Sequence, residues 1–377
     1  MPVATALVSG NDPIPQLAER AVQQALTRAG LVQANAVLLF LTPEYTRHAQ
    51  PAVAAAARAA RCIQVAGGIA SGVFTESGWV LDRPAAVAMV LGGEFSLAPG
   101  EGASGLLLSY ATGNVPPHWN VTGKRFGATF AGSFAGTAAP TDPAAWEHGR
   151  LTESSACCVK LLGADISVGV SSGLRLLGKA KRVEQSNGYD LERIGSQTAL
   201  KNLARAVPAE LRENLGRQLH HLAAVLFDEE AGARNELREG HGRALALLAA
   251  NPDGSLTLSE QVTPGQSLAW AVRQPLTAEA DMRGTIDQLA ARSGHEPACA
   301  LMFSCIGRGP YFYGGEDRDL RAMTERFPGL PILGVYGTGQ ITPAVPGAAG
   351  ENRHVQNTVV TALVRHNLKV VHVQPLA

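Results

Sequence analysis

The stretch Ala300-Leu301-Met302-Phe303-Ser304-Cys305-Ile306-Gly307-Arg308-Gly309-Pro310 changes character halfway along. Its first four residues form a short continuous apolar run, the pattern of a strand buried on both faces. The remainder reads as a turn. Gly307 and Gly309 let the backbone bend tightly and approach a guest closely. Arg308 between them carries a rigid fork of donors suited to a carboxylate or phosphate. A loop at the C-terminal end of a buried strand is also where open α/β sheets place ligands. The rival reading pairs Arg308 with an acid such as Glu316 or Asp317 and makes it a loop pin; residue types alone leave the two level. Cys305 has no histidine nearby in sequence, which favours a buried structural thiol over a nucleophile.

Working outward, Asp319 to Phe327 has helical spacing and stops at Pro328-Gly329. Ile332-Leu333 then starts a strand that enters Gly334-Val335-Tyr336-Gly337-Thr338-Gly339. Here Tyr336 supplies an aromatic wall, and Thr338, Gln340 and Thr342 supply hydrogen bonds. Upstream, residues 277–292 read as a helix capped by Thr277, with Met282, Ile286 and Leu289 on one face. Ala244 to Leu248, the turn Asn251-Pro252-Asp253-Gly254, and Leu256 to Leu258 form a hairpin pattern.

The first part of the chain repeats this plan. A helix capped by Asp12, with Pro13 at its first position and Gly30 at its end, precedes the buried strand Ala36 to Leu41. Thr42-Pro43-Glu44 starts a second helix, which Pro51 interrupts. A strand from Cys62 to Ala66 runs into a Gly-rich turn, in which Gly67, Gly68 and Ser71 form a second candidate ligand site. Further strands are expected at Ala86 to Leu91, Leu106 to Tyr110 and Ile166 to Val170. Residues 111–150 read as irregular or as short strands, and leucines on either side of Pro208 as a helical divider. Glycines stand five apart in both turns, Gly67 and Gly72, then Gly334 and Gly339, which suggests an ancient duplication. The expected class is α/β, with two related β-α-β-containing halves and mixed sheets, divided as residues 1–215 and 216–377.

Composition narrows the function classes. Hydrophobic residues make up 46% and charged residues 17%, so the chain folds. Lys+Arg and Asp+Glu are both 32, which gives no general attraction to nucleic acid or an anionic membrane. The densest basic cluster, Lys179-Ala180-Lys181-Arg182, is short and reads as a solvated loop. The opening residues lack a basic n-region, no apolar run reaches the roughly 18 residues of a membrane helix, and the five cysteines are sparse; a cytoplasmic location with free thiols is expected.

No cofactor or metal is expected. Gly100 to Gly105 matches G-x-G-x-x-G, but Pro99 precedes it and an apolar run follows it, so no helix N-terminus waits for a pyrophosphate. Gly169-Val170-Ser171-Ser172-Gly173 matches G-x-S-x-G, but Leu174-Arg175-Leu176 is a poor helix start and there is no His-Gly-Gly-Gly oxyanion loop. His220, His221, His241, His295, His354 and His366 lie downstream, so a triad on Ser171 stays an alternative. A thiol enzyme using Cys305 and a protein-interaction scaffold are the others.

Phe303 to Gly309 followed by Pro331 to Ile341 resembles the C-terminal half of FIST-domain proteins. Asn251 to Leu256, Val262-Thr263-Pro264-Gly265 and Val272-Arg273 are similar to it too. Ala36 to Phe40, Val65 to Val73, and Gly173 to Gly178 with Val183 to Ser186 resemble the N-terminal half. The resemblance implies a FIST N-terminal-like and a FIST C-terminal-like domain. It further implies a bacterial sensory or signal-transduction protein that binds a small ligand such as an amino acid or carboxylate, with a protein partner in the pathway. The ligand site is expected near Cys305, Gly307, Arg308, Gly309, Tyr336, Thr338, Gly339 and Gln340. Gln340 stands where the family usually has Glu, which bears on ligand choice.

Overall fold

The computed structural model describes residues 2–112, 115–130, 145–154, 156–227, 242–292, 295–344 and 351–367; His241 lies outside them. The first sheet runs β1 (Val3–Ser9), β6 (Ala85–Leu91), β2 (Ala36–Leu41), β3 (Val65–Ile69), β10 (Ala145–Glu147), β11 (Arg150–Leu151). Helix α1 (Pro15–Ala29) joins β1 to β2, and α2 (Ala49–Ala60) makes the crossover that sets β2 and β3 parallel. β1 and β2 both pair with β6 antiparallel. β2 is buried throughout because the helices cover one face, meeting Val37, Leu39 and Leu41, while Leu38 and Phe40 face the central core.

The second sheet runs β13 (Ala164–Ser171), β26 (Val359–His366), β22 (Cys299–Cys305), β23 (Ile332–Gly337), β4 (Gly72–Thr75), β5 (Gly78–Val80). Its first four strands repeat the order and polarity of β1, β6, β2 and β3: β13 and β22 flank β26 antiparallel, and β22 runs parallel to β23. Helix α5 (Pro275–Ala291) precedes β22, and α6 (Arg318–Arg326) connects it to β23. The two-half expectation is therefore visible as a repeated topology. The halves also exchange structure, since β4 of the first half pairs with β23 of the second.

A third sheet, β25 (Asn352–Val355), β24 (Gly339–Pro343), β9 (Lys124–Phe130), β8 (Leu106–Thr112), β12 (Ala156–Leu162), β7 (Ser96–Pro99), closes the central core. That core takes side chains from all three sheets, including the Phe40–Tyr110 and Phe126–Phe303 edge contacts at 5.2 and 6.1 Å.

Between β13 and α5 the chain makes a separate antiparallel body. β21 (Ser267–Arg273), β15 (Lys181–Asn187), β16 (Asp190–Ile194), β20 (Leu256–Leu258), β19 (Gly242–Ala250) and β18 (Leu222–Phe227) pair in that order, and β18 pairs back with β21 to close a ring. β14 (Leu174–Leu176) extends β21, β17 (Gln197–Thr198) pairs with β16, and α3 (Ala199–Ala206) adds Leu203 to a core with Val183, Leu191, Leu245 and Trp270.

Several local expectations are corrected. α1 starts at Pro15, with Ile14 and not Asp12 as its N-cap; proline disfavours the helical region for the residue before it, and Ile14 is extended. Pro43–Tyr45 is a single 3-10 turn, and Pro51 sits in the first turn of α2, where its missing N–H needs no partner. α5 begins at Pro275 with Gln274 at its N-cap, so Thr277 is inside it. The leucine periodicity after Pro208 divides among a short helix α4 (Ala209–Arg212), two 3-10 turns, and β18 from Leu222. Of the stretch 111–150, read as irregular or as short strands, the described part includes the short strands β9, β10 and β11, while 113–114 and 131–144 lie outside the described residues. Gly67 and Gly68 lie inside β3: a Cβ on Gly67 would sit 1.5 Å from the Leu39 carbonyl oxygen. Likewise Gly334 lies inside β23, where a Cβ would sit 1.9 Å from the Phe74 ring. These glycines serve close strand packing, and the chain turns only after them.

Candidate functional site

β22 and β23 are parallel, so their C-terminal ends lie side by side, with Cys305 opposite Gly337. β26 runs the other way and starts at the same edge. The Cys305 N–H donates to the Thr358 carbonyl oxygen at 2.9 Å. After Cys305 the chain makes a 3-10 turn, Ile306–Arg308. A Cβ on Gly307 would lie 3.3 Å from both Arg273 Nη2 and Asn357 Oδ1, and 3.8 Å from Cys305 Sγ. Arg273 and Asn357, from two distant segments, thus meet Cys305 over the Gly307 backbone, and a side chain there would press on the first two.

Each of the three is held. Arg273, the last residue of β21, donates Nη1 to the His220 carbonyl at 3.0 Å and Nη2 to the Gly307 carbonyl, with its guanidinium 5.4 Å from the Phe312 ring centre. Burial draws Arg273 below its usual pKa; Arg308 pulls in the same direction, and Cys305 opposes. Asn357 adopts the left-handed region at φ 56°, which asparagine tolerates better than most residues. Cys305 is buried. Next to Asn357 in the chain, Thr358 donates Oγ1 at 3.0 Å to Oε1 of the buried Gln340, whose Nε2 has no partner among the described residues.

Arg308 faces inward. Its Nε and Nη2 donate to Asp319 at 2.9 Å each, Nη1 to the Ser171 carbonyl at 2.8 Å, and Nη2 to Ser171 Oγ at 2.8 Å and the Ala278 carbonyl at 2.9 Å. Both charged partners are almost fully buried. Burial works against the Arg308 charge, but the Asp319 carboxylate outweighs it and holds the guanidinium above its usual pKa. The geometry supports the loop-pin reading, with Asp319 as the acid in place of Glu316 or Asp317.

Ser171 is part of the same cluster. Its hydroxyl donates to Asp281 at 2.7 Å, and Gly169–Ser171 is ordinary β13 strand followed by Gly173 at φ 63°, leading to β14 and to no elbow helix.

The remaining predicted residues distribute around this edge. Gly309 packs against the Tyr336 ring. The Tyr336 hydroxyl donates to Asp317, whose other oxygen caps α6 by accepting from the Leu320 N–H at 2.9 Å. Burial and the neighbouring Asp319 charge push Asp317 up to about 6, against the pull of those hydrogen bonds. Thr338 donates its N–H to the Thr129 carbonyl at 2.8 Å, and a Cβ on Gly339 would sit 2.1 Å from His354 Nε2. Ser71 donates its N–H to the Tyr336 carbonyl at 2.9 Å, which ties the first Gly-rich segment to the second half; Gly67 and Gly68 are within the first sheet.

Sequence reasoning missed Arg273, Asn357, Thr358, Asp281 and Asp319. Arg273 carried a faint signal as part of a recognised string. The others become neighbours only through strand pairing and helix packing. Among the described residues no group of His, Cys, Asp and Glu has a metal-holding arrangement, and no helix is long and apolar enough to cross a membrane.

A family model for the FIST C domain matches residues 199–343. The chain carries a FIST C domain. That span holds most of the antiparallel ring, Arg273, the Cys305–Gly309 turn and the Tyr336–Gln340 segment; Ser171, Asn357 and Thr358 come from outside it. Among curated proteins, 199 residues align at 30% identity with an uncharacterized protein of Mycobacterium bovis and another of Mycobacterium tuberculosis, covering 52% of this chain and 50% of each relative. A further uncharacterized M. tuberculosis protein aligns at 29% over the same length, covering 49% of it. The chain thus spans about half the length of the curated relatives it matches.

Proposed function

We propose that this protein is a sensory module of the FIST type that binds a small molecule over Gly307, between Arg273 and Asn357, with Gln340 held by the adjacent Thr358. The observation that carries the reading is the Gln340 amide. A buried N–H donor with no acceptor costs about 1–3 kcal/mol, and Gln340 Nε2 is such a donor at the edge where parallel strands present their loops. A ligand carbonyl or carboxylate would satisfy it and would also meet the Arg273 charge. Where the family pattern has Glu, this chain presents an amide N–H, which favours an acceptor group on the ligand over an amine. In this reading Arg308 holds the turn in place and does not touch the ligand. FIST C domains are associated with sensory signal transduction, which supports the assignment.

The test is a thermal-shift screen against amino acids, small carboxylates and nucleotides, repeated on Gln340→Leu and Arg273→Met. A ligand at 100 times its Kd stabilises the native state by about 2.7 kcal/mol, and both variants should lose that shift. The reading fails if no compound stabilises the wild type, or if the shift persists unchanged in both variants.

A further inference from the structure

The opposite end of the same strands holds a second feature, independent of the site above. Arg365, next to last in β26, is 2% exposed. Its guanidinium donates to the His295 carbonyl at 3.0 Å, Ser167 Oγ at 3.3 Å and the Leu289 carbonyl at 3.3 Å. All three acceptors are neutral, and they engage three of the five N–H groups, leaving one on each of Nη1 and Nη2 without an acceptor among the described residues. No carboxylate oxygen among the described residues forms an ion pair with Arg365 within 4.0 Å. Asp165, opposite it on β13, is exposed and pulls only at longer range. Burial accordingly draws Arg365 below its usual pKa. A buried cation without a counter-charge is among the costlier arrangements a fold keeps.

Arg365 borders a groove of about 450 Å³ at the N-terminal ends of β22 and β23, in the size range of small-ligand sites. Phe327, Pro328 and Leu330 line it from the loop after α6, and Ala290 from the last turn of α5. The other charges at the groove are largely accounted for: Arg326 pairs with Asp287 at 3.1 Å and His366 with Glu94, while Glu296 stands exposed at the rim.

We propose that this groove binds an amphipathic monocarboxylate, its carboxylate on Arg365 and its apolar body along Phe327, Pro328 and Leu330. Two free N–H groups on one guanidinium match the two oxygens of a carboxylate. The rim carboxylate of Glu296 disfavours a polyanion, and the lining disfavours a small inorganic ion.

Calorimetric titration of octanoate, octyl phosphate and 1-octanol into the full chain tests the assignment. Octanoate should bind, and bind at least tenfold more tightly than either analogue. Arg365→Met should weaken octanoate at least tenfold and, by removing a buried unpaired charge, should not lower the melting temperature. Ala290→Phe fills the groove from the half-exposed end of α5 and should weaken octanoate by a similar factor; it decides the matter if Arg365→Met does not fold. Gln340→Leu should leave octanoate binding unchanged, which separates this site from the proposed sensory one. No octanoate binding to the wild type, or unchanged affinity in Ala290→Phe, overturns the proposal. Equal or tighter binding of octanol removes the anion recognition, and tighter binding of octyl phosphate removes the carboxylate assignment.

Discussion

Replacing Arg308 separates a pin from a ligand contact. The guanidinium ties together three segments far apart in sequence: the end of β13 through Ser171, the first turn of α5 through Ala278, and α6 through Asp319. Arg308→Ala removes all of these bonds and leaves Asp319, 1% exposed, buried with its charge unmatched. Breaking a buried pair from one side costs about 3–5 kcal/mol. With an unfolding entropy of about 2.1 cal/mol/K per residue, 377 residues convert a loss of about 4 kcal/mol into a drop of about 5 °C in Tm. Arg308→Lys keeps the charge but loses the planar fork, and its shorter reach serves fewer segments, so about half of that loss should remain. The double variant Arg308→Met with Asp319→Leu should be milder than the two single losses added together, because neither charge is then stranded. Thermal and urea unfolding followed by circular dichroism measure the wild type, Arg308→Ala, Arg308→Lys, Arg308→Met, Asp319→Leu and the double variant. Arg308→Ala melting within about 1 °C of the wild type would refute the pin, since no buried pair of this kind would then be contributing.

Further expectations concern protonation, exchange between halves, and thiols. Asp317 is pushed up to about 6 in the fold, against about 3.9 in an unfolded chain. The native state therefore binds more protons between those values, and this group's contribution to stability falls as pH rises through that window. Asp317→Asn keeps a capping side chain and should gain up to about 3 kcal/mol near pH 7 while flattening the stability profile between pH 4 and 6; an unchanged profile contradicts it. The division into residues 1–215 and 216–377 is proposed as one of sequence and not of folding. A fragment of residues 1–215 strips β13 of β26 and β4 of β23, so it should show no cooperative monomeric melt by circular dichroism, and observing one would refute the point. Burial pushes Cys299 up to about 12 and raises Cys157 further, whereas Cys62 is half-buried. Iodoacetamide at pH 8 should label Cys62 first in the folded protein, as mass mapping of the alkylated peptides would show.

Strands buried on both faces were the most legible part of the sequence. Ala36–Leu41 was read to the residue, and Ala300–Phe303 extends only to Cys299–Cys305. The α-helical faces of Leu17 to Leu26 and Met282 to Leu289 were legible for the same reason, since both bury one stripe. Their N-termini were not, because Pro15 and Pro275 decide them and a nearby Asp or Thr offers a competing cap. Gly67 and Gly334 misled because glycine marks a turn and a tight strand contact equally well, and the atoms that exclude a Cβ, Leu39 and Phe74, lie on other strands. At the site, residue types left Arg308 between pin and ligand contact. What supports the pin is Asp319 and Ser171, 11 and 137 positions away along the chain, and no local pattern encodes the second of these.

The repeated topology also bears on why the proposed site lies in the second half alone. In the first half the chain leaving β2 is closed by its own neighbours: Thr42 Oγ1 accepts from the Ala85 N–H at 2.9 Å, and the Tyr45 hydroxyl donates to the Ile14 carbonyl at 2.8 Å. The segment from β1 to β2 contains only α1, whose residues pack against that sheet. In the second half the equivalent path from β13 to β22 contains the whole antiparallel ring, and β21 ends with Arg273 against the Gly307 carbonyl. The position filled by a local aromatic turn in one half is thus opened in the other by Gly307 and bordered by a cation delivered from the inserted body. The central core takes side chains from both halves, but it is the inserted body that brings Arg273 to the Gly307 turn, opposite Asn357.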